Sequence, residues 1–182
     1  MQSFIQLFRM ESKVKIFGHA IHPMLVSFPI TFYTVTVICL IGYYFNNNVA
    51  WYRLGFLSNC AAVITAGFAA LFGIIDWLAI PSTHKAKSTG LQHLTANVFA
   101  LGFFTANAAI QSTQLKESHP PVVISLMLTL AGFLCTIYAG FKGWKLVQKH
   151  HIGIDLTTLQ EDSAKENEEV KMEQQIFSRK EP

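Results

Sequence analysis

Four apolar stretches, 24–45, 57–80, 94–111 and 122–147, divide the chain, with polar and charged residues gathered between and beyond them. A helix rises 1.5 Å per residue, so about 20 residues cross about 30 Å of hydrocarbon. Three runs reach that length. The third is short and is expected to begin earlier, near Ser88, with His93 and Asn97 on its polar first turns. The pattern predicts an all-α, polytopic membrane protein: a four-transmembrane-helix bundle filling residues 18–151. Pro29, in the first run, should kink or loosen its helix by removing a hydrogen bond to residue i−4. The second run is rich in small residues, with small-xxx-small spacing at Ala62, Ala66 and Ala70 and again at Ala69 and Gly73. Such a face lets backbones approach closely. It suits tight packing within the bundle, a homo-oligomer, or a flat cofactor lying against it.

Charge sets the orientation and the ends. Half the residues are apolar (51%) and only 14% are charged, far from the usage of a soluble domain. Arg9, Lys13 and Lys15 precede the first run, Lys85 and Lys87 follow the second, and Lys142, Lys145 and Lys149 close the fourth. With four spans these eight share one side, against Arg53 and Lys116 on the other. The positive-inside rule then puts both termini of this multi-pass protein in the cytoplasm. Trp77 and Trp144 are expected near the inner interface and Trp51 near the outer. The first run follows a long basic segment, exceeds the core of a secretory signal, and lacks a small-residue cleavage pattern, so it is retained as a helix. Residues 1–17 mix apolar and charged positions and suit an amphipathic segment on the inner leaflet. Residues 152–182 carry eight acidic and four basic side chains and read as an acidic, partly disordered cytoplasmic tail.

Several function classes drop out. Cys39, Cys60 and Cys135 all lie within spans and form neither a C-x-x-C nor a loop pair, so each reads as a small buried residue. There is no Ser-centred elbow, phosphate loop or zincin motif. Topology already accounts for the basic residues, and nucleic-acid binding has no support.

Candidate chemistry begins with Asp76, the one carboxylate inside an apolar run. An acid at membrane depth is costly unless paired, hydrated or neutralised, and marks a functional site by default. Topology places it about one helical turn from the inner end of its span. His19 and His22 stand at the start of the first span, with Pro23 suiting a first helical position and His22 at or near the cap. His93 opens the third span, and Asn97 shares its face at i+4. Three helices therefore deliver His19, His22, Asp76, His93 and Asn97 to one membrane layer. Imidazoles with a carboxylate can ligate a transition metal, His22, Asp76 and His93 being the candidate ligands. Two imidazoles from different helices can also clamp a haem iron. A purely structural polar pair that fixes helix packing satisfies the same pattern. His84 reads as a loop residue, and His150 and His151 as part of a basic collar.

The stretch Gly18-His19-Ala20-Ile21-His22-Pro23-Met24-Leu25-Val26-Ser27-Phe28-Pro29-Ile30 resembles the opening of a bacterial membrane family catalogued as domain of unknown function 2231. Gly73-Ile74-Ile75-Asp76-Trp77 and His93 are similar to its later signature points, and the resemblance spans about residues 18–147. The family often shows two His-Pro pairs; here Ala20 follows His19, so only His22-Pro23 keeps the pattern. The resemblance implies a four-helix membrane domain of the bacterial cytoplasmic (inner) membrane. Relatives joined to Rieske or c-type cytochrome modules imply redox work, although this chain carries neither module.

Together these readings favour a redox-type accessory, holding haem b or a metal near the cytoplasmic interface and working with membrane redox proteins, more readily than an enzyme in its own right. The alternatives are a non-catalytic assembly subunit with a structural His/Asp cluster, and a proton- or metal-coupled transport component. The absence of an evident inverted repeat weighs against a stand-alone transporter.

Overall fold

The structure, a computed structural model, describes residues 15–16 and 19–152, together with 163, 166–167, 169–170 and 174. Two compact units are distinguished, Ser12–His150 and the two ends of the chain. Of the latter, the isolated positions between 163 and 174 are helical and exposed. The amphipathic segment expected at 1–17 lies outside the described residues except for Lys15 and Ile16, which are extended, and most of the acidic tail lies outside them as well.

In the larger unit a two-residue strand β1 (Lys15–Ile16) pairs antiparallel with β2 (His19–Ala20). Then come α1 (Ile21–Leu25), α2 (Ser27–Asn46), α3 (Val49–Ala79), α4 (Lys85–Gln114) and α5 (Val123–His150). Counting α1 and α2 as one span, four helices among the described residues are long and apolar enough to cross a membrane. The interruption between α1 and α2 has a local cause. Pro29 lacks the N–H that would bond Leu25, and its ring crowds that carbonyl. The chain accordingly turns at Val26, whose N–H still reaches the His22 carbonyl at 3.2 Å. Pro29 thus falls in the first turn of α2, where no intrahelical donor is needed. Pro23 is the third residue of α1 rather than its first, and His22 lies inside the helix rather than at its cap.

Side chains set the other boundaries. Asn48 accepts the Ala50 N–H at 3.0 Å and starts α3 well before the apolar run at 57. His84 caps α4 in the same way, its Nδ1 accepting from the Ala86 N–H at 3.1 Å, so the third span begins at Lys85. At the α3–α4 turn, Trp77 Nε1 donates to the Lys87 carbonyl (3.1 Å). Lys87 Nζ donates back to the Trp77 carbonyl (2.8 Å) while resting 4.0 Å over the indole. Trp77 is therefore a clasp between two helices.

Packing is inverted relative to a water-soluble bundle. Large apolar side chains such as Ile38, Leu57, Phe68, Phe99, Leu134 and Phe141 point outward, while Thr36, Asn59, Asn107, Gln111, Ser125 and Thr129 are fully buried. Lipid tails are as apolar as Leu, so membrane helices associate through close packing and hydrogen bonds rather than through apolar burial. Small residues on α3 serve this purpose inside the chain. Ala62 and Ala66 pack against the stacked rings of Tyr33 and Phe104, whose centroids are 3.8 Å apart. At the end away from the histidines, Leu40, Tyr43, Tyr52 and Val122 form a second cluster, tied by the Tyr43 hydroxyl donating to the Pro120 carbonyl at 2.9 Å.

The bundle also repeats itself. The helices pack in a ring, α2–α3–α4–α5 and back to α2, so each hairpin's second helix meets the other hairpin's first. Residues 71 positions apart on α1–α2 and α4 occupy equivalent sites: His22 and His93, Pro29 and Ala100, Tyr33 and Phe104, Thr36 and Asn107, Leu40 and Gln111. On α3 and α5 the offset is 70, pairing Gly55 with Ser125, Asn59 with Thr129, Ala62 with Gly132, and Ala69 with Ala139. Two of these pairs, His22 with His93 and Tyr33 with Phe104, touch each other. That is the behaviour of residues lying on a two-fold axis between two hairpins of like direction.

Candidate functional site

One layer of the bundle, at the end where α1 begins and α3 closes, contains the two histidines nearest that axis. His22 Nδ1 lies 2.9 Å from the Ala69 carbonyl oxygen on α3, and His93 Nδ1 lies 2.8 Å from the Ala139 carbonyl oxygen on α5. A carbonyl only accepts, so in each ring the proton sits on Nδ1 and the Nε2 lone pair is left for another partner. The two imidazoles meet edge to face, with centroids 6.3 Å apart and planes perpendicular. Both rings are half-buried.

Glycine makes the close approach possible. A Cβ added at Gly73 would stand 2.8 Å from His22 Cε1, and one added at Gly143 would stand 3.1 Å from His93 Cε1. Each glycine follows, by four residues, the alanine whose carbonyl holds the ring. Carbonyl and clearance therefore lie on one helical face. The arrangement is made twice, once per hairpin.

Asn97 distinguishes the two halves. Its Nδ2 donates to the His93 backbone carbonyl at 2.9 Å, which fixes the orientation of the amide, and the same nitrogen lies 3.1 Å from His93 Nε2. His93 is therefore the neutral, Nδ1-protonated tautomer with Nε2 accepting. The residue at the equivalent place by the 71-residue offset is Val26, which offers no such donor.

Of the five candidates from the sequence, the structure brings together His22, His93 and Asn97. Asp76 is half-buried, one turn beyond Gly73 on the side of α3 that meets His22, and it is engaged in an interaction rather than isolated. His19 belongs by its backbone to β2, and its side chain lies outside the description. Among the described residues no three or more His, Cys, Asp or Glu side chains gather as a metal site. A second histidine contact occurs at the same end, with the rings of His84 and His150 6.1 Å apart. There the chemistry differs: His84 Nδ1 accepts from Ala86, so in the neutral ring Nε2 carries the proton and has no lone pair to offer.

Sequence reasoning singled out Ala69 and Gly73 as a small-residue step for packing, a homo-oligomer or a flat cofactor, and missed Gly143 and the alanine carbonyls that hold the rings. The Ala-x-x-x-Gly at 69–73 recurs at 139–143, an offset of 70 residues, one less than the 71 that relates His22 to His93.

A family model described as "Predicted membrane protein (DUF2231)" matches residues 18–156, most of the chain. Comparison with curated proteins and with solved structures gives no match. The chain belongs to the DUF2231 family of membrane proteins.

Proposed function

We propose that this DUF2231 protein is a redox accessory of the membrane in which His22 and His93 hold the iron of a haem b. The supporting observation is a pair of imidazoles, both with Nδ1 committed to a helix carbonyl, whose centroids are 6.3 Å apart. His22 and His93, on different helices, would hold the iron through Nε2, the nitrogen each ring has left once Nδ1 is bonded to its carbonyl. When bound, such a haem supplies one-electron transfer.

The chain's own residues have defined tasks in this reading. The Ala69 and Ala139 carbonyls fix the tautomer and raise the basicity of each ligand, as outer partners of ligating histidines do. Gly73 and Gly143 give the rings room. Asn97 would have to give up its 3.1 Å contact with His93 Nε2 for that nitrogen to hold the iron, and its bond to the His93 carbonyl at 2.9 Å would keep the amide in place. Asp76 lies one turn beyond Gly73 on the face of α3 that meets His22. The positive-inside rule puts this end in the cytoplasm, and the partners are membrane redox proteins that supply and accept the electron, so the chain alone is not an enzyme. The test is an absorption spectrum of the full chain purified in detergent after expression with ample haem. A Soret band is expected, lost in His22→Ala and in His93→Ala. No band in the wild type removes the haem reading, and stoichiometric iron without a band moves the assignment to a non-haem ion.

The bond from Asn97 to His93 Nε2 favours a second reading, an assembly subunit whose histidines only lock the packing. In that case Asn97→Ala lowers stability by about 1 kcal/mol and no variant changes the spectrum. In the haem reading Asn97→Ala leaves the band in place.

A further inference from the structure

A cluster of buried carboxamides lies in the other half of the bundle, beyond the stack of Tyr33 on Phe104. Asn59 on α3 and Asn107 and Gln111 on α4 are fully buried. Asn59 Nδ2 donates to the Phe104 carbonyl at 3.1 Å and to Gln111 Oε1 at 3.3 Å, and Asn107 Nδ2 donates to that same Oε1 at 2.9 Å. The Phe104 carbonyl can only accept, so the orientation of Asn59 is forced, and through it those of Gln111 and Asn107. This one consistent arrangement leaves Asn59 Oδ1, Asn107 Oδ1 and Gln111 Nε2 buried with no partner among the described residues. Buried polar groups in a lipid-embedded bundle are paired or hydrated, because the bilayer core offers nothing else.

We propose that Asn59, Asn107 and Gln111 form a buried water site in the half of the bundle away from the histidines. Two unpaired acceptors and one unpaired donor decide the ligand. A bare cation would meet the Gln111 N–H, and an anion would meet two carbonyl oxygens, whereas water can donate to the first two and accept from the third. A buried water takes two to four such partners. Asn59 is ten residues into α3, about 15 Å from its start. Nearer the end of the bundle the Tyr52 hydroxyl donates to Gln114 Oε1 at 2.7 Å. Phe104 stands between Asn107 and His93 along α4, so the water site is independent of any cofactor at the histidines.

Water-edited solid-state NMR of the full chain in lipid bilayers tests this, with Asn59→Leu, Asn107→Leu and Gln111→Leu identifying the three side-chain amides. The expected result is polarisation build-up from water onto these amides several-fold faster than onto the methyls of fully buried Leu40. Gln111→Leu should slow the build-up on the remaining two, because they share the water. Build-up as slow as at Leu40 overturns the proposal, and so does unchanged build-up on Asn59 and Asn107 in Gln111→Leu.

Discussion

At the scale of single residues, the decisive positions are the ones with no side chain. Gly73 and Gly143 do nothing chemical, yet each ring sits where a methyl would be. Gly73→Ala puts a carbon 2.8 Å from His22 Cε1, closer than packed carbons tolerate, and α1 must shift to accommodate it. Overpacking of this kind costs about 1–3 kcal/mol. Gly143→Ala starts from 3.1 Å and should cost less. Thermal unfolding in detergent should rank wild type above Gly143→Ala and Gly143→Ala above Gly73→Ala; equal stability of all three would mean that the rings have slack. The histidines were legible in the sequence because imidazoles beside an apolar run are conspicuous, and helix direction alone levels His22 with His93. Their partners were not legible. A backbone carbonyl leaves no trace in composition, and the Ala69–Gly73 step reads as helix packing until a ring is known to lie on it. The buried carboxamides were overlooked for a different reason: Asn59, Asn107 and Gln111 are uncharged, and a search for costly groups in apolar runs that considers only carboxylates passes over amides needing nearly as much compensation.

At the scale of elements, hydropathy located the spans but not their ends. The second helix starts at Val49 because Asn48 caps it, and the third at Lys85 because His84 does. Both starts lie outside the apolar runs, since capping is a matter of hydrogen bonds rather than of transfer to lipid. Removing the Asn48 cap by Asn48→Ala should cost about 1 kcal/mol. The α3–α4 turn is stiffened by a different device, the reciprocal pair of bonds between Trp77 and Lys87. Trp77→Phe keeps an aromatic ring and deletes the Nε1 bond, a loss of about 1 kcal/mol. Hydrogen exchange should then accelerate at residues 80–88 in Trp77→Phe and stay unchanged at the α2–α3 turn. Acceleration at both turns would show that Trp77 stabilises the whole bundle rather than this corner. Pro29 illustrates an element-level effect that the sequence did predict, since the expected loosening appears as the turn at Val26 between α1 and α2.

At the scale of the whole molecule, the two hairpins are variations on one unit, and the repeat strengthens the orientation argument. Repeats of like direction are related by an axis along the membrane normal, so both hairpins must enter from the same side. The sequence agrees in a way that hydropathy does not capture. Lys13-Val14-Lys15 precedes the first hairpin and Lys85-Ala86-Lys87 opens the second. If each unit obeys the positive-inside rule separately, the start of both hairpins and the end of α5 are cytoplasmic, and the turns at 47–48 and 115–122 face outward. The repeat itself escaped notice because few identities survive at the 71-residue offset. What persists is position: a half-buried histidine, then an aromatic eleven residues on, then a buried polar or apolar contact one turn further. Single cysteines placed in a chain from which Cys39, Cys60 and Cys135 have been removed check the orientation. Asn47→Cys and Ser118→Cys, both at exposed turns, should react with an impermeant maleimide added to intact cells or spheroplasts. Ser82→Cys, exposed in the α3–α4 turn, should react only after the membrane is opened. Labelling of Ser82→Cys from outside, with protection at 47 and 118, would invert the whole molecule and carry the paired histidines to the outer face.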